Sequence, residues 1–398
     1  MGRWPPAGPL RETPTAVDSP RAAVPEQELK FRDPARARAL GTALAREVEA
    51  HGRPISVMHV CGSHEQAIAR FGLRAAFPGA LDVIMGPGCP VCVTDTPEVD
   101  EAVALAAQGA RVCTYGDMLR LPGTVRSLAD AQAEGGKVEV VYSVTQAVDL
   151  ARSHPGEQVV FFASGFETTA VATAAVVLSG VPDNLSVLSA HKYVPAAMDV
   201  VSEMKETSIE GFVAAGHAAA ITGWGIFEPF AARTGTPVVV AGFEPLDVLA
   251  AVLELVRLVR ARRPEVVNCY PRCVSREGNQ PALERLWKVF DVVGGNWRGI
   301  ARVPRGNLEL RPEWNHLNAR HRFRIDTAAV GGASRNLLAD RCICGRIMSG
   351  LARPSDCGLF GRECRPDSPV GACMVSSEGS CKIWHVYGGP PDLREVGR

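Results

Sequence analysis

The sequence is short of aromatic residues, of net charge and of long apolar runs, and each shortage closes off a class of protein. Aromatics make up 6% of the chain while hydrophobic residues of all kinds reach 46%, a balance rich in Ala, Val and Gly that fits α/β layers and not an aromatic-rich β-sandwich. Lys plus Arg equals Asp plus Glu at 43 each, so the whole-chain field favours neither nucleic acid nor an anionic membrane as a partner. No apolar run approaches the roughly 20 residues that span a bilayer, and the first residues lack the apolar stretch of a signal peptide. A cytoplasmic location is the expectation. The glycine-rich strings match neither a Walker loop nor a GxGxxG fingerprint, which leaves nucleotide binding without support.

What the chain does have is cysteine, twelve in 398 residues. In a reducing cytoplasm these are not a disulfide framework, and metal binding or redox chemistry becomes the leading reading. The length calls for two or three domains. Residues 1–28 carry Pro5, Pro6, Pro9, Pro14, Pro20 and Pro25 with few large apolar groups, too few to offset the entropy of ordering, so a disordered tail is expected. Asp33 followed by Pro34 is a helix start. Short β-rich runs then alternate with Ala-rich helical stretches, at 55–60, 81–85, 111–115 and 138–142, and again at 158–163, 186–190, 211–216 and 236–242. This alternation predicts βαβ units: two related α/β lobes with parallel sheets flanked by helices, over 29–155 and 156–262. A helical or irregular connection at 263–330 returns to the lobes. From about 331 to 398 hydrophobic periodicity fades and cysteines crowd together, so a metal must stand in for a core there.

Six cysteines fall in that last segment: Cys342, Cys344, Cys357, Cys364, Cys373 and Cys381. Four thiolates suit either a tetrahedral zinc or a four-iron, four-sulfur cluster. Gaps of 12, 6 and 16 residues separate Cys344, Cys357, Cys364 and Cys381. Such gaps wrap a larger object than paired zinc knuckles do, which favours the cluster. Cys342 and Cys373 are then the non-ligands, behaving as small hydrophobes.

A second group lies near the N-terminus. Cys61 follows the strand at 55–60 and opens a helix, where unpaired amides and the helix dipole favour a thiolate. Cys89 and Cys92 follow the next strand in GPGCPVC, at the carboxyl edge where open α/β sheets bind ligands. A CxxC pair either holds a metal or cycles between dithiol and disulfide. Cys61 at the neighbouring strand end brings three thiols within reach of one ion, the plain alternative being three unconnected buried thiols. His64, one helical turn beyond Cys61 with Glu65 beside it, is a further site residue that tunes or ligates an ion. Cys113 reads as core, and Cys269 and Cys273 as structural.

FFASGFETTA at 161–170 presents Glu167, Thr168 and Thr169 at a helix start; the amides there would receive an anion, but capping by Thr168 or Thr169 is the simpler expectation. His217, Glu244 and Asp247 occupy comparable strand-end positions and would converge on a cleft if the sheets face each other.

Taken together, MHVCGSHEQAI, GPGCPVCVT, FFASGFETTA, GFEPLDVL, REGN and CGRIMSGLARPSDCGLFGRECRPDSPVGACMVSSEGSC resemble the HypD family of hydrogenase maturation proteins, from about residue 55 to 385. The resemblance implies two related α/β lobes and a small C-terminal domain holding a [4Fe-4S] cluster. It implies a complex with a HypC-like chaperone, transient contact with a HypE-like cyanide donor, and a role in building the iron centre, with its CN and CO ligands, of nickel–iron hydrogenases. Carried onto this chain, Cys61, Cys89 and Cys92 are the iron-handling group and four of the C-terminal cysteines hold the cluster. The expected role is an assembly scaffold with a redox part, not a free-standing enzyme. The rivals are an iron–sulfur-dependent disulfide reductase working through Cys89 and Cys92, and a zinc-stabilised interaction module.

Overall fold

A computed structural model describes residues 30–204, 206–330 and 338–389; the expected disordered tail at 1–28 lies outside them. Among the described residues eleven strands form two sheets. The first holds β1 (Ile55–His59), β2 (Leu81–Met85), β7 (Gly211–Ala215), β8 (Val238–Ala241) and β9 (Val266–Asn268), in the order β2-β1-β7-β8-β9 and parallel throughout. The second holds β3 (Arg111–Thr114), β4 (Val138–Val140), β5 (Val159–Gly165), β6 (Leu185–Lys192), β10 (Phe290–Trp297) and β11 (Ala301–Leu310). Its order is β10-β11-β6-β5-β3-β4; β3 to β6 run parallel, and β10 and β11 join antiparallel at the edge.

The architecture is therefore α/β with two largely parallel sheets flanked by helices. The sheets are interleaved along the chain, which passes from the first to the second after β2, back after β6 and across again after β9. The expected boundary at 155 does not separate them: β3 pairs with β4 on one side and β5 on the other, while β1 pairs with β2 in the other sheet. Strand composition could not reveal this, because parallel strands buried on both faces are uniformly apolar whichever sheet they enter. β5 is such a strand, apolar but for Ser164 and buried at every position.

Helices begin where local chemistry directs. In α1 (Pro34–His51), the Asp33 carboxylate accepts from the amides of Ala35 and Arg36, and Gly52 ends the helix in the left-handed region at φ 79°. α2 (Gly62–Arg70) follows β1, α3 (Pro90–Val93) follows β2, and α4 (Thr96–Ala107) opens on a capping box between Asp95 and Glu98. Glu98 also receives the buried Lys192 ammonium at 2.8 Å, and Lys192 reaches the Asn296 carbonyl on β10 and the Asn307 side chain on β11. This buried network fixes the β10–β11 hairpin to the parallel strands, and removing either charge would strand the other.

The cysteine-rich segment has little regular structure beyond the short helices Cys344–Met348 and Ala372–Val375 and the helix Ser380–Tyr387. Its apolar residues, among them Ile347, Leu359 and Met374, share one core with the second sheet. No helix among the described residues is long and apolar enough to cross a membrane.

Candidate metal and thiol centre

In the first sheet the chain direction reverses its order between β1 and β7, and at such a switch point the carboxyl ends of the strands splay apart to leave a crevice. Cys61 sits there as the N-cap of α2, with its thiol packed among Ala215, Ala218 and Phe243. The expected thiolate is corrected by this environment. Burial pushes the Cys61 thiol up to about 12, outweighing the opposing backbone N–H groups of His64 and Ser63. The Ser63 hydroxyl donates to Glu378 at 3.2 Å.

Cys89 and Cys92 lie on α3 at the end of β2, the strand next to β1, and are joined as a disulfide. The two loops are in backbone contact: the Gly62 amide donates to the Gly88 carbonyl at 3.1 Å. A Cβ on Gly88 would stand 2.1 Å from the Cys61 nitrogen, so only glycine permits this approach. The structure thus brings the loops carrying Cys61, Cys89 and Cys92 together. Both disulfide cysteines are 1% exposed.

His64 is buried and its Nε2 donates to the Gly242 carbonyl at 3.0 Å while its ring stacks on Phe243. Nδ1 then carries a lone pair and has no partner. Burial, helped by His59 and His217, holds this ring neutral, its pKa down to about 3. His217 leans on the same Phe243 ring, so His64, His217 and Phe243 form one wall of the Cys61 crevice. Glu65 turns the other way. It is fully buried, receives His59 Nε2 at 2.9 Å, both carboxylate oxygens take Arg74, and Trp384 Nε1 donates to it at 2.6 Å. Burial alone would raise its pKa, but these donors hold it at about 2.

Of the C-terminal cysteines, Cys344, Cys373 and Cys381 lie close enough to perturb one another, and the Cys342 sulfur lies 3.2 Å from that of Cys344. Contact with Cys344 and Cys373 lowers Cys381, the acceptor of the group, while Cys342 and Cys373 are raised. Cys364 is near enough to feel Cys342 and Cys344. Cys373, expected to be a bystander, is central, whereas Cys357 is buried and bonded only through its backbone, to Pro354 and Phe360.

Among the described residues, no three His, Cys, Asp or Glu side chains are already arranged around a single metal ion. The thiol group nonetheless fits a thiolate-bound metal in two respects. Gly371 lets two of the sulfurs close on its backbone, since a Cβ there would fall 2.5 Å from those of both Cys342 and Cys344. Arg298 is buried near Cys344, and its Nη2 has no partner among the described residues, a deficit that an anionic metal–thiolate group would relieve. Nothing in the local sequence marks Arg298, which stands alone in the glycine-rich β10–β11 turn.

The remaining candidates divide. Glu167 occupies the corresponding switch point of the second sheet, between β3 and β5. One carboxylate oxygen accepts the Val194 amide at 2.9 Å, the other is buried without a partner, and burial raises the group to about 7. Neither threonine caps the helix Glu167–Leu178; Phe166 is the N-cap, and the Thr169 hydroxyl donates back to the Phe166 carbonyl. Glu244 and Asp247 do not join the crevice, being used in a capping box and in ion pairs with Arg32 and Arg272. Cys113 is buried on β3, Cys269 is half-buried and Cys273 exposed.

Fold and site define an α/β protein with a thiol centre at its strand ends and a cysteine-rich segment seated beside it. The particular family follows from comparison with known proteins. Residues 35–388 match the HypD family, described as "Hydrogenase formation hypA family", and the chain belongs to that family. It is 40% identical over 370 residues to "Hydrogenase expression/formation protein HupD" of Azotobacter chroococcum mcd 1, covering 90% of this chain and 96% of the relative. "Hydrogenase maturation factor HypD" of Azotobacter vinelandii gives the same identity and coverage. The protein of that name from Cupriavidus necator is 38% identical over 380 residues, 92% of this chain and 99% of the relative.

Proposed function

We propose that this chain is a cytoplasmic accessory protein for maturation of nickel–iron hydrogenases. It works with a HypC-like chaperone as the scaffold on which an iron acquires its cyanide and carbon monoxide ligands, with cyanide delivered by a HypE-like donor. The observation that carries the reading is the meeting of Cys61 and the Cys89–Cys92 disulfide at neighbouring strand ends, at the switch point of the first sheet. The relatives' names support the hydrogenase connection.

The iron is cargo. Cys61 would offer it a soft thiolate of the kind that suits a ligand-bearing iron, giving up the proton that burial now holds on it. His64 Nδ1 is available to accept a hydrogen bond or to coordinate. The walls of Ala215, Ala218 and Phe243 keep water away from the thiol. At the second centre Cys344, Cys364 and Cys381 would hold a [4Fe-4S] cluster. The fourth place falls to Cys357 by spacing, but the contacts of Cys373 with Cys344 and Cys381 favour Cys373. Such a cluster supplies one-electron chemistry. The short helix Ala372–Val375 packs on α3, and the Ala372 carbonyl oxygen lies 3.9 Å from the Cys92 sulfur, a proximity that supports a redox part for the disulfide.

The rival reading, a free-standing disulfide reductase, meets an obstacle: at 1% exposure neither sulfur of the pair is open to a protein substrate. Replacing Cys61 with Ala should abolish hydrogenase maturation in a complementation assay while leaving the fold and the C-terminal metal content unchanged. Normal maturation by that variant would remove Cys61 from the scaffold.

A further inference from the structure

The two cysteine centres are carried by two helices packed on each other. Cys61 caps α2; Cys381 lies in the first turn of the helix Ser380–Tyr387. Gly62 makes the contact close, because a Cβ there would fall 2.5 Å from the Cβ of Glu378. Across this seam an unbroken set of hydrogen bonds runs from the backbone of Cys61 to the second helix. His59 Nδ1 meets the Cys61 carbonyl at 3.1 Å, His59 Nε2 meets Glu65 at 2.9 Å, and Glu65 accepts from Trp384 at 2.6 Å. Arg74 completes the hub, bonded to both oxygens of Glu65 with its guanidinium 5.3 Å from the Trp384 ring centroid.

Glu65 has no exposure to solvent, so these bonds are unscreened and each is stronger than it would be at the surface. Trp384 stands three residues after Cys381, on nearly the same face of its helix. Any rotation or shift of that helix moves the indole N–H with it, and the carboxylate it holds is the one that anchors the ring bonded to Cys61.

We propose that Glu65 and Trp384 are positioning residues that make the placement of Cys61 depend on the helix carrying Cys381. The inference rests on reading Cys61 as the reactive thiol. The test is a double-mutant cycle on the full-length chain purified without oxygen, following alkylation of Cys61 by iodoacetamide with mass spectrometry of the Cys61 peptide. Trp384→Phe keeps the ring beside Arg74 and removes only the donor; Glu65→Gln removes the charge. Each single change should raise the Cys61 alkylation rate by about tenfold to a hundredfold, the loss of a charge-assisted hydrogen bond. The double variant should be no faster than the faster single one, because both changes break one connection.

Two separate structural weaknesses would instead multiply, and multiplicative rates would overturn the proposal, as would single variants that alkylate at the native rate. Should Glu65→Gln fail to fold, His59→Gln takes its place in the cycle with the same expectation. A maturation-competent Cys61→Ala chain would defeat the scaffold reading alone and leave the cycle standing.

Discussion

Glu167 and Cys61 are governed by the same force. Each is sealed from water with too few donors to compensate, and burial raises Glu167 to about 7 and Cys61 to about 12. For Glu167 this has a signed consequence for stability. Below about pH 4.5 both folded and unfolded chains hold its proton; from there to about pH 7 only the folded chain does. Stability from this group is therefore complete in acid and lost as pH rises through that window. Glu167→Gln, which keeps the acceptor for Val194 and cannot ionise, should lack that slope. Its advantage over the native chain should grow between pH 4.5 and 7 to on the order of 3 kcal/mol, read by chemical denaturation at a series of pH values. Parallel curves for the two proteins would contradict the assignment. The location of Cys61, after a strand and before a helix, was legible in the sequence. Its protonation was not, because Ala215, Ala218 and Phe243, which bury it, come from a distant stretch of chain.

At the scale of elements, the eight strands read from alternation recur in the structure with ends moved by a residue or two, such as Ile55–His59 and Val159–Gly165. Their apolar runs and flanking turns are local signals. The hairpin of β10 and β11 was not legible, since Gly294, Gly295, Pro304 and Gly306 within it are residues that mark turns elsewhere. The structure explains the motif glycines as well. GPGCPVC needs Gly88 because its backbone lies against that of Cys61. Gly88→Ala should therefore force the two loops apart and cost at least about 2 kcal/mol, the scale of an overpacked core, in chemical denaturation. A variant as stable as the native chain would show that the loops can separate freely.

In the whole molecule the cysteine-rich segment acts as a keystone between the interleaved sheets. Ser376 and Ser377 bond Asp117 at the end of β3, in the second sheet, and Glu378 accepts from Ser63 beyond β1, in the first. Crowding of six cysteines was visible in the sequence, but which of them lie together was not: gaps along the chain do not encode how the segment folds back to bring Cys373 beside Cys344 and Cys381. Under the proposed function, a metal group in this segment would add to that hold and would tie the thiol chemistry at Cys61 to a redox part.

The most direct test is metal analysis of the protein purified without oxygen, with iron, zinc and acid-labile sulfide counted together and the visible spectrum recorded. The account predicts a brown protein with roughly four iron and four sulfide per chain. A colourless protein containing zinc and no sulfide would contradict it, removing the redox part and leaving at most a scaffold.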